Sequence, residues 1–272
     1  MKRHSALLGI SLLFCALGVA QDTGTDRVVV PARNSSAARK VDVNLMGGSI
    51  TVKAYAGKEV IVEARGSSRS SRRPDREDKN AQGMKRIDLG QRGLSVEEEN
   101  NVVTVRMQNA QNGDLNISVP ADTSLVLHTM HGEINVEGVK GELNVDTMNG
   151  KINLTNVSGS VLANTMNGQM TVVMDAVDAS KALSFSSMNG TIDVTLPATF
   201  KSNVKLKTDH GEIYTDFDFQ MSGSGAITQK NESADGKFKV KIDRTITGTI
   251  NGGGAEATFK TYNGTIYLRK KK

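Results

Sequence analysis

The chain has 272 residues, a formal net charge of +5, 38% hydrophobic and 4% aromatic residues, one cysteine and no tryptophan. So few aromatic rings exclude a nucleic-acid partner that needs a basic face interleaved with stacking side chains. A single cysteine excludes a disulfide framework and a cysteine-based metal site; separately, no metal and no cofactor is expected.

Met1-Lys2-Arg3-His4 is a charged start, and Ala6 to Val19 is an apolar run too short for a comfortable membrane span. Gly18-Val19-Ala20 supplies small residues for cleavage, so residues 1–20 read as a signal peptide and the mature chain starts near Gln21. Cys15 would leave with it, and Lys2 and Arg3 with it, taking the net charge from +5 to +3. No second apolar run is long enough to span a bilayer, so an exported protein is expected, in the periplasm, at the cell surface or released.

Residues 21–40 read as a polar leader and 41–272 as the folded domain. Val41-Asp42-Val43-Asn44-Leu45, Ser49-Ile50-Thr51-Val52 and Glu59-Val60-Ile61-Val62-Glu63-Ala64 show the alternation of half-buried strands. Residues 66–93 break it. Arg65 to Arg92 holds nine basic and four acidic residues and almost nothing apolar, which reads as a disordered, solvated insertion. Its Arg69, Arg72, Arg73 and Arg76 are candidate contacts to an anionic surface. Strand patterning resumes at Leu94 and runs nearly to Lys272, with no convincing helical period.

From Gly132 the chain repeats. Gly132, Gly141, Gly150, Gly159 and Gly168 fall nine residues apart. The surrounding residues recur as Thr129-Met130-His131-Gly132-Glu133-Ile134, Thr147-Met148-Asn149-Gly150-Lys151-Ile152, Thr165-Met166-Asn167-Gly168-Gln169-Met170 and Ser187-Met188-Asn189-Gly190-Thr191-Ile192. An odd half-repeat flips strand parity: Leu143, Val145 and Thr147 share one side, then Gly150, Ile152 and Leu154. A corner between strands restores the inward direction. Two half-repeats make a coil of two short strands, and coils of about 18–22 residues can pair in parallel at the ~4.8 Å strand spacing. The expected fold is all-β, a single parallel β-solenoid of right-handed β-helix or β-roll type. Ile134, Ile152, Met170 and Ile192 would stack inward as one core ladder.

Further echoes carry the pattern outward. His210-Gly211-Glu212-Ile213 matches His131-Gly132-Glu133-Ile134, and the chain closes on Gly252-Gly253-Gly254 and Tyr262-Asn263-Gly264-Thr265-Ile266-Tyr267-Leu268. With the strand-Pro-Ala turns at Val119-Pro120-Ala121 and Leu196-Pro197-Ala198, these residues resemble the bacterial "putative adhesin" family of β-strand-repeat proteins, a domain of unknown function. The resemblance covers Val41 to Leu268 apart from the insertion. It implies an exported β-solenoid without known catalytic residues, with some relatives associated with envelope-stress systems.

The turn ladder is Gly132, Asn149, Gly150, Asn167, Gly168, Asn189, Gly190, Gly211, Asn263 and Gly264. Asn and Gly are favoured where the backbone needs positive φ, and stacked Asn side chains can hydrogen-bond between coils. Met130, Met148, Met166 and Met188 form a second ladder, read as core or corner packing, with soft-metal ligation by thioethers as the alternative. The two His-Gly-Glu-Ile segments would lie four coils apart, roughly 19 Å, too far to share a metal. Glu97-Glu98-Glu99 and Asp216-Phe217-Asp218 are acidic clusters without a visible sugar platform, and no catalytic motif is present.

These features point to a non-enzymatic exported interaction or scaffold module of the bacterial cell envelope, adhesin-like, with an envelope or extracellular partner (protein, polysaccharide or anionic surface). The alternative is a carbohydrate-active parallel β-helix enzyme, which needs two carboxylates ~5–9 Å apart in a groove.

Overall fold

The computed structural model of the protein describes residues 25–32, 38–66, 94–107, 113–222 and 245–272. The expected signal peptide and the basic insertion beyond Gly66, with Arg69, Arg72, Arg73 and Arg76, lie outside the described residues.

The described structure is all-β. In chain order the strands are β1 (Thr25–Val30), β2 (Arg39–Gly47), β3 (Ile50–Tyr55), β4 (Val60–Gly66), β5 (Leu94–Glu99), β6 (Val102–Met107), β7 (Gly113–Pro120), β8 (Thr123–His131), β9 (Ile134–Glu137) and β10 (Glu142–Asn149). They continue as β11 (Ile152–Asn167), β12 (Met170–Val177), β13 (Leu183–Asn189), β14 (Ile192–Leu196), β15 (Ser202–His210), β16 (Ile213–Thr215), β17 (Phe219–Met221), β18 (Ile246–Ile250), β19 (Glu256–Asn263) and β20 (Ile266–Lys270). Each repeat motif straddles a corner, so β8 turns into β9, β10 into β11 and β13 into β14. The two members of each pair lie in opposite walls of a flattened, barrel-like sheet. β11 is long enough to serve both walls: its first residues pair with β9 and β12, its last with β10 and β13.

Pairing is mixed, and the stack does not follow chain order throughout. The middle does: β8, β10, β11 and β13 pair in parallel in one wall. At one end the coil of β2 and β3 is inserted between β6–β7 and β8–β9, with β2 pairing β6 and β8 and β3 pairing β7 and β9. At the other, the coil of β19 and β20 is inserted between β13–β14 and β15–β16. Antiparallel strands then flank the stack: β4 and β1 beyond β7, β5 beyond β6, and β18 and β17 beyond β15. A single sequential parallel solenoid is therefore too simple. Local parity dictates which side chains point inward but not which coil a coil stacks on. The stretch read as a polar leader also supplies β1, which pairs with β4 along its whole length.

The core lies between the walls. Ile134, Ile152, Met170 and Ile192 pair in register on neighbouring strands and are fully buried. The ladder extends through Ile50 to Leu115 at one end and to Ile266 at the other. Each full burial of such a side chain is worth about 1.5–3 kcal/mol. Phe185 and Phe259 stack in register at 5.2 Å between ring centroids.

The corners are built from glycine and threonine. A Cβ on Gly132, Gly150, Gly168, Gly190, Gly264 or Gly211 would come closer than 3.0 Å to the carbonyl oxygen of the preceding glycine in the stack. The column continues through Gly48, whose carbonyl Gly132 approaches and which itself approaches Gly113. Buried threonines three residues before the glycines satisfy these carbonyls: Thr147 Oγ1 donates to Gly132 O at 3.3 Å, Thr165 Oγ1 to Gly150 O at 3.2 Å and Thr261 Oγ1 to Gly190 O at 3.1 Å. Ser187 holds the equivalent place, and its buried hydroxyl has no partner.

Ile152→Asp should cost about 3 kcal/mol or more, because the carboxylate has no partner in the ladder. Gly168→Ala should cost about 1–3 kcal/mol by overpacking the corner, whereas Thr165→Val should cost about 1 kcal/mol, the worth of one hydrogen bond. Ser187→Thr should raise the melting temperature, because the β-branched side chain fixes χ1 and adds a buried methyl group where the neighbouring corners carry threonine. Chemical denaturation of the four variants checks this order.

Candidate functional site

The corner motif places two columns on the outside of the wall containing β8, β10, β11, β13 and β19. The first is amide. Asn263 Nδ2 donates to Asn189 Oδ1 at 2.8 Å, Asn189 to Asn167 at 2.8 Å and Asn167 to Asn149 at 2.9 Å. His131 pairs with Asn149 at one end, its ring 3.5 Å from the amide, and His210 pairs with Asn263 at the other. The structure thus brings Asn149, Asn167, Asn189 and Asn263 into one column beside the column of Gly132, Gly150, Gly168, Gly190, Gly264 and Gly211. The ladder asparagines are not positive-φ residues; among the described residues those with positive φ are Asn100, Asn101, Asn156 and Asn251. Their selection rests on the side-chain amide, which both donates and accepts and so relays from coil to coil. The inserted β19–β20 coil adds one step between the two His-Gly-Glu-Ile segments, so His131 and His210 are five strand spacings apart, roughly 24 Å.

The second column is thioether. Met148 lies between the paired positions Thr147↔Thr165 and Asn149↔Asn167, opposite Met166, and the same register continues to Met188 and Tyr262. Met46 joins at the other end, opposite Met130. These side chains are corner residues but not core: Met46 is 55% exposed, Met148 38%, Met166 44% and Met188 50%, with Met130 half-buried. Met46 carried a sequence signal. It precedes Gly48 by two residues, as Met148 precedes Gly150.

The opposite wall presents a different face. Asn153 Nδ2 donates to Asn135 Oδ1 at 2.8 Å. A shallow depression there is lined by Thr51, Lys53, Asn135, Glu137, Asn153 and Thr155, and its one carboxylate, Glu137, pairs with Lys53 at 3.0 Å. Further along, Tyr214 stacks on Tyr267 at 5.4 Å, and Arg269 lies 4.9 Å from the Tyr267 ring centre while its guanidinium pairs with Asp193 at 2.8 Å. Sequence reasoning missed this aromatic pair, because Tyr214 and Tyr267 are distant in the chain and meet only through the β16–β20 pairing. The C-terminal cations are engaged here: Lys271 pairs with Asp175 at 2.6 Å, and Lys270 lies over Phe217. Asp216 accepts from the Lys270 backbone N–H at 2.6 Å, so it braces the C-terminal strand.

Two carboxyls are held below their ordinary range. For Glu256 the main cause is the hydrogen bond from Lys205, and for Asp178 the hydroxyl and backbone N–H of Ser180. Both are exposed. Among the described residues no group of three or more His, Cys, Asp and Glu is placed to hold a metal ion, and no helix is long and apolar enough to cross a membrane.

A family profile described as Toastrack DUF4097 matches residues 27–251. A "putative cell adhesion protein" from Clostridium sporogenes is similar in structure at 12% identity and a TM-score of 0.46, with 91% of this chain and 100% of that one covered. A "putative adhesin" from Bacteroides fragilis is similar at 10% identity and a TM-score of 0.41, with 92% and 98% covered. No curated protein matches.

Asn189→Gly should cost about 1 kcal/mol, since it removes two exposed amide bonds without relieving a strained turn; a thermal melt no different from wild type would restore the turn reading. A depressed folded-state pKa contributes stability above the unfolded value, near 4, that is lost as pH falls through the folded value. The melting-temperature deficit of Glu256→Gln should therefore be present at neutral pH and vanish in strong acid.

Proposed function

From the premise that the chain belongs to the Toastrack DUF4097 family, a domain of unknown function, we propose that it is a non-enzymatic interaction or scaffold module of the bacterial cell envelope, adhesin-like in mode. The observation that carries this reading is the pair of long outer faces, each an in-register ladder of side chains on parallel strands. The parallel middle of the stack repeats one chemical group every ~4.8 Å, which suits an extended partner better than a small substrate. Export through the N-terminal segment belongs to the same proposal, as does contact of Arg69, Arg72, Arg73 and Arg76 with an anionic partner.

The enzyme alternative finds less support. The depression beside Asn135 and Asn153 is lined by one carboxylate, already paired with Lys53, where glycoside hydrolysis uses two.

The test is capture from envelope extracts with the full chain, with a variant in which a short Gly-Ser bridge replaces residues 66–93, and with Asn153→Arg. A partner retained by the wild type and reduced at least several-fold by either change supports the reading. Equal recovery on all three baits, with unchanged melting temperatures, would sink it. Binding through the arginines should fall steeply between low and high salt.

A further inference from the structure

We propose that Met46, Met130, Met148 and His128 form a binding site for a soft monovalent metal ion, Cu(I) or its surrogate Ag(I).

The argument starts from exposure. Methionine is a core filler by default, yet the motif places one on the outer surface of consecutive strands. Met46, Met130 and Met148 come from β2, β8 and β10, adjacent strands with Met130 in the centre. Strand spacing puts neighbouring backbones ~4.8 Å apart. Two metal–sulfur bonds of about 2.3 Å laid end to end span about 4.6 Å, so an ion between neighbouring thioethers needs only side-chain torsions, and methionine is unbranched and flexible. Neutral thioethers favour soft, singly charged ions over hard or borderline divalent ones.

An independent feature selects this part of the column. His128 is two residues from Met130 on the same outward face of β8. Its Nδ1 lies 3.5 Å from Asp146 Oδ1, on the neighbouring strand β10. A carboxylate at Nδ1 fixes the ring orientation and directs Nε2 to a ligand, the second-shell arrangement of histidine metal sites. The corresponding positions beside Met166 and Met188 are Asn164 and Ser186, which offer no imidazole. The thioether column is therefore long, but only the Met46–Met130–Met148 segment gains a nitrogen donor. This site needs no oxidation or reduction; the ion arrives as Cu(I) and stays so.

The test is anaerobic competition of residues 21–272, which lack the Cys15 thiol, with bicinchoninate for Cu(I), read from the colour of the Cu(I)–bicinchoninate complex. Methionine methyl resonances are followed in parallel during Ag(I) titration. The wild type should withdraw one equivalent of Cu(I), with the first methyl shifts at Met46, Met130 and Met148, and excess Zn(II) should not compete. Met130→Leu and Met148→Leu, which keep side-chain volume, should each weaken binding at least tenfold. His128→Asn should weaken it several-fold, and Met188→Leu by less than twofold. Circular dichroism melts confirm that each variant is folded. Failure of the wild type to take Cu(I), or wild-type affinity in both Met130→Leu and Met148→Leu, overturns the proposal and leaves the stripe as an apolar docking surface.

Discussion

Close approach of the backbone at one corner governs this molecule. Successive coils meet there glycine on glycine, with no room for a side chain between one residue and the carbonyl below it. Once that distance is fixed, much else follows. The residue two places on is driven into the core, where Ile134, Ile152, Met170 and Ile192 meet. The preceding asparagine is brought within hydrogen-bonding distance of its counterpart, and the threonine three places back reaches a carbonyl that would otherwise be buried without a donor. A six-residue motif thus sets core, corner and surface in one stroke, and the same motif sets them again in the next coil.

The ends obey a different constraint. A stack of parallel strands must stop somewhere, and an open edge invites unwanted pairing. Here antiparallel strands complete much of the stack: β4 and β1 in one wall, β5 and then β18 with β17 in the other. Terminal elements that differ from the repeat are the usual solution in stacked architectures.

What was legible in the sequence was what depends on near neighbours. The spacing from Gly132 to Gly168 gave the corner, and parity gave the inward faces of β10, β11 and β12. Stacking order was not legible, because Ile50 is as well shaped to sit on Leu115 as on Ile134 and in fact sits between them. Only the long-range pairing decides that. Whether the methionines sit in core or corner was not legible for a related reason: hydrophobicity suggests burial, but Met148 follows a buried threonine in an extended strand and points outward at the corner. Residue type suggested both positive φ and amide bridging for the ladder asparagines, and the structure has the bridging without the positive φ. Tyr214 and Tyr267 meet through a pairing with no local signature.

The insertion of β2–β3 and β19–β20 one layer inside the stack has a mechanical consequence. In a stack that follows chain order, the outermost coil is held on one side only and can peel away, each release exposing the next. Here the earliest and latest coils are each held by two neighbours. A protease or a pulling force acting near either of them must break two interfaces before a coil comes free. The stack resists unravelling as a woven edge does, by tucking its loose threads under the row before.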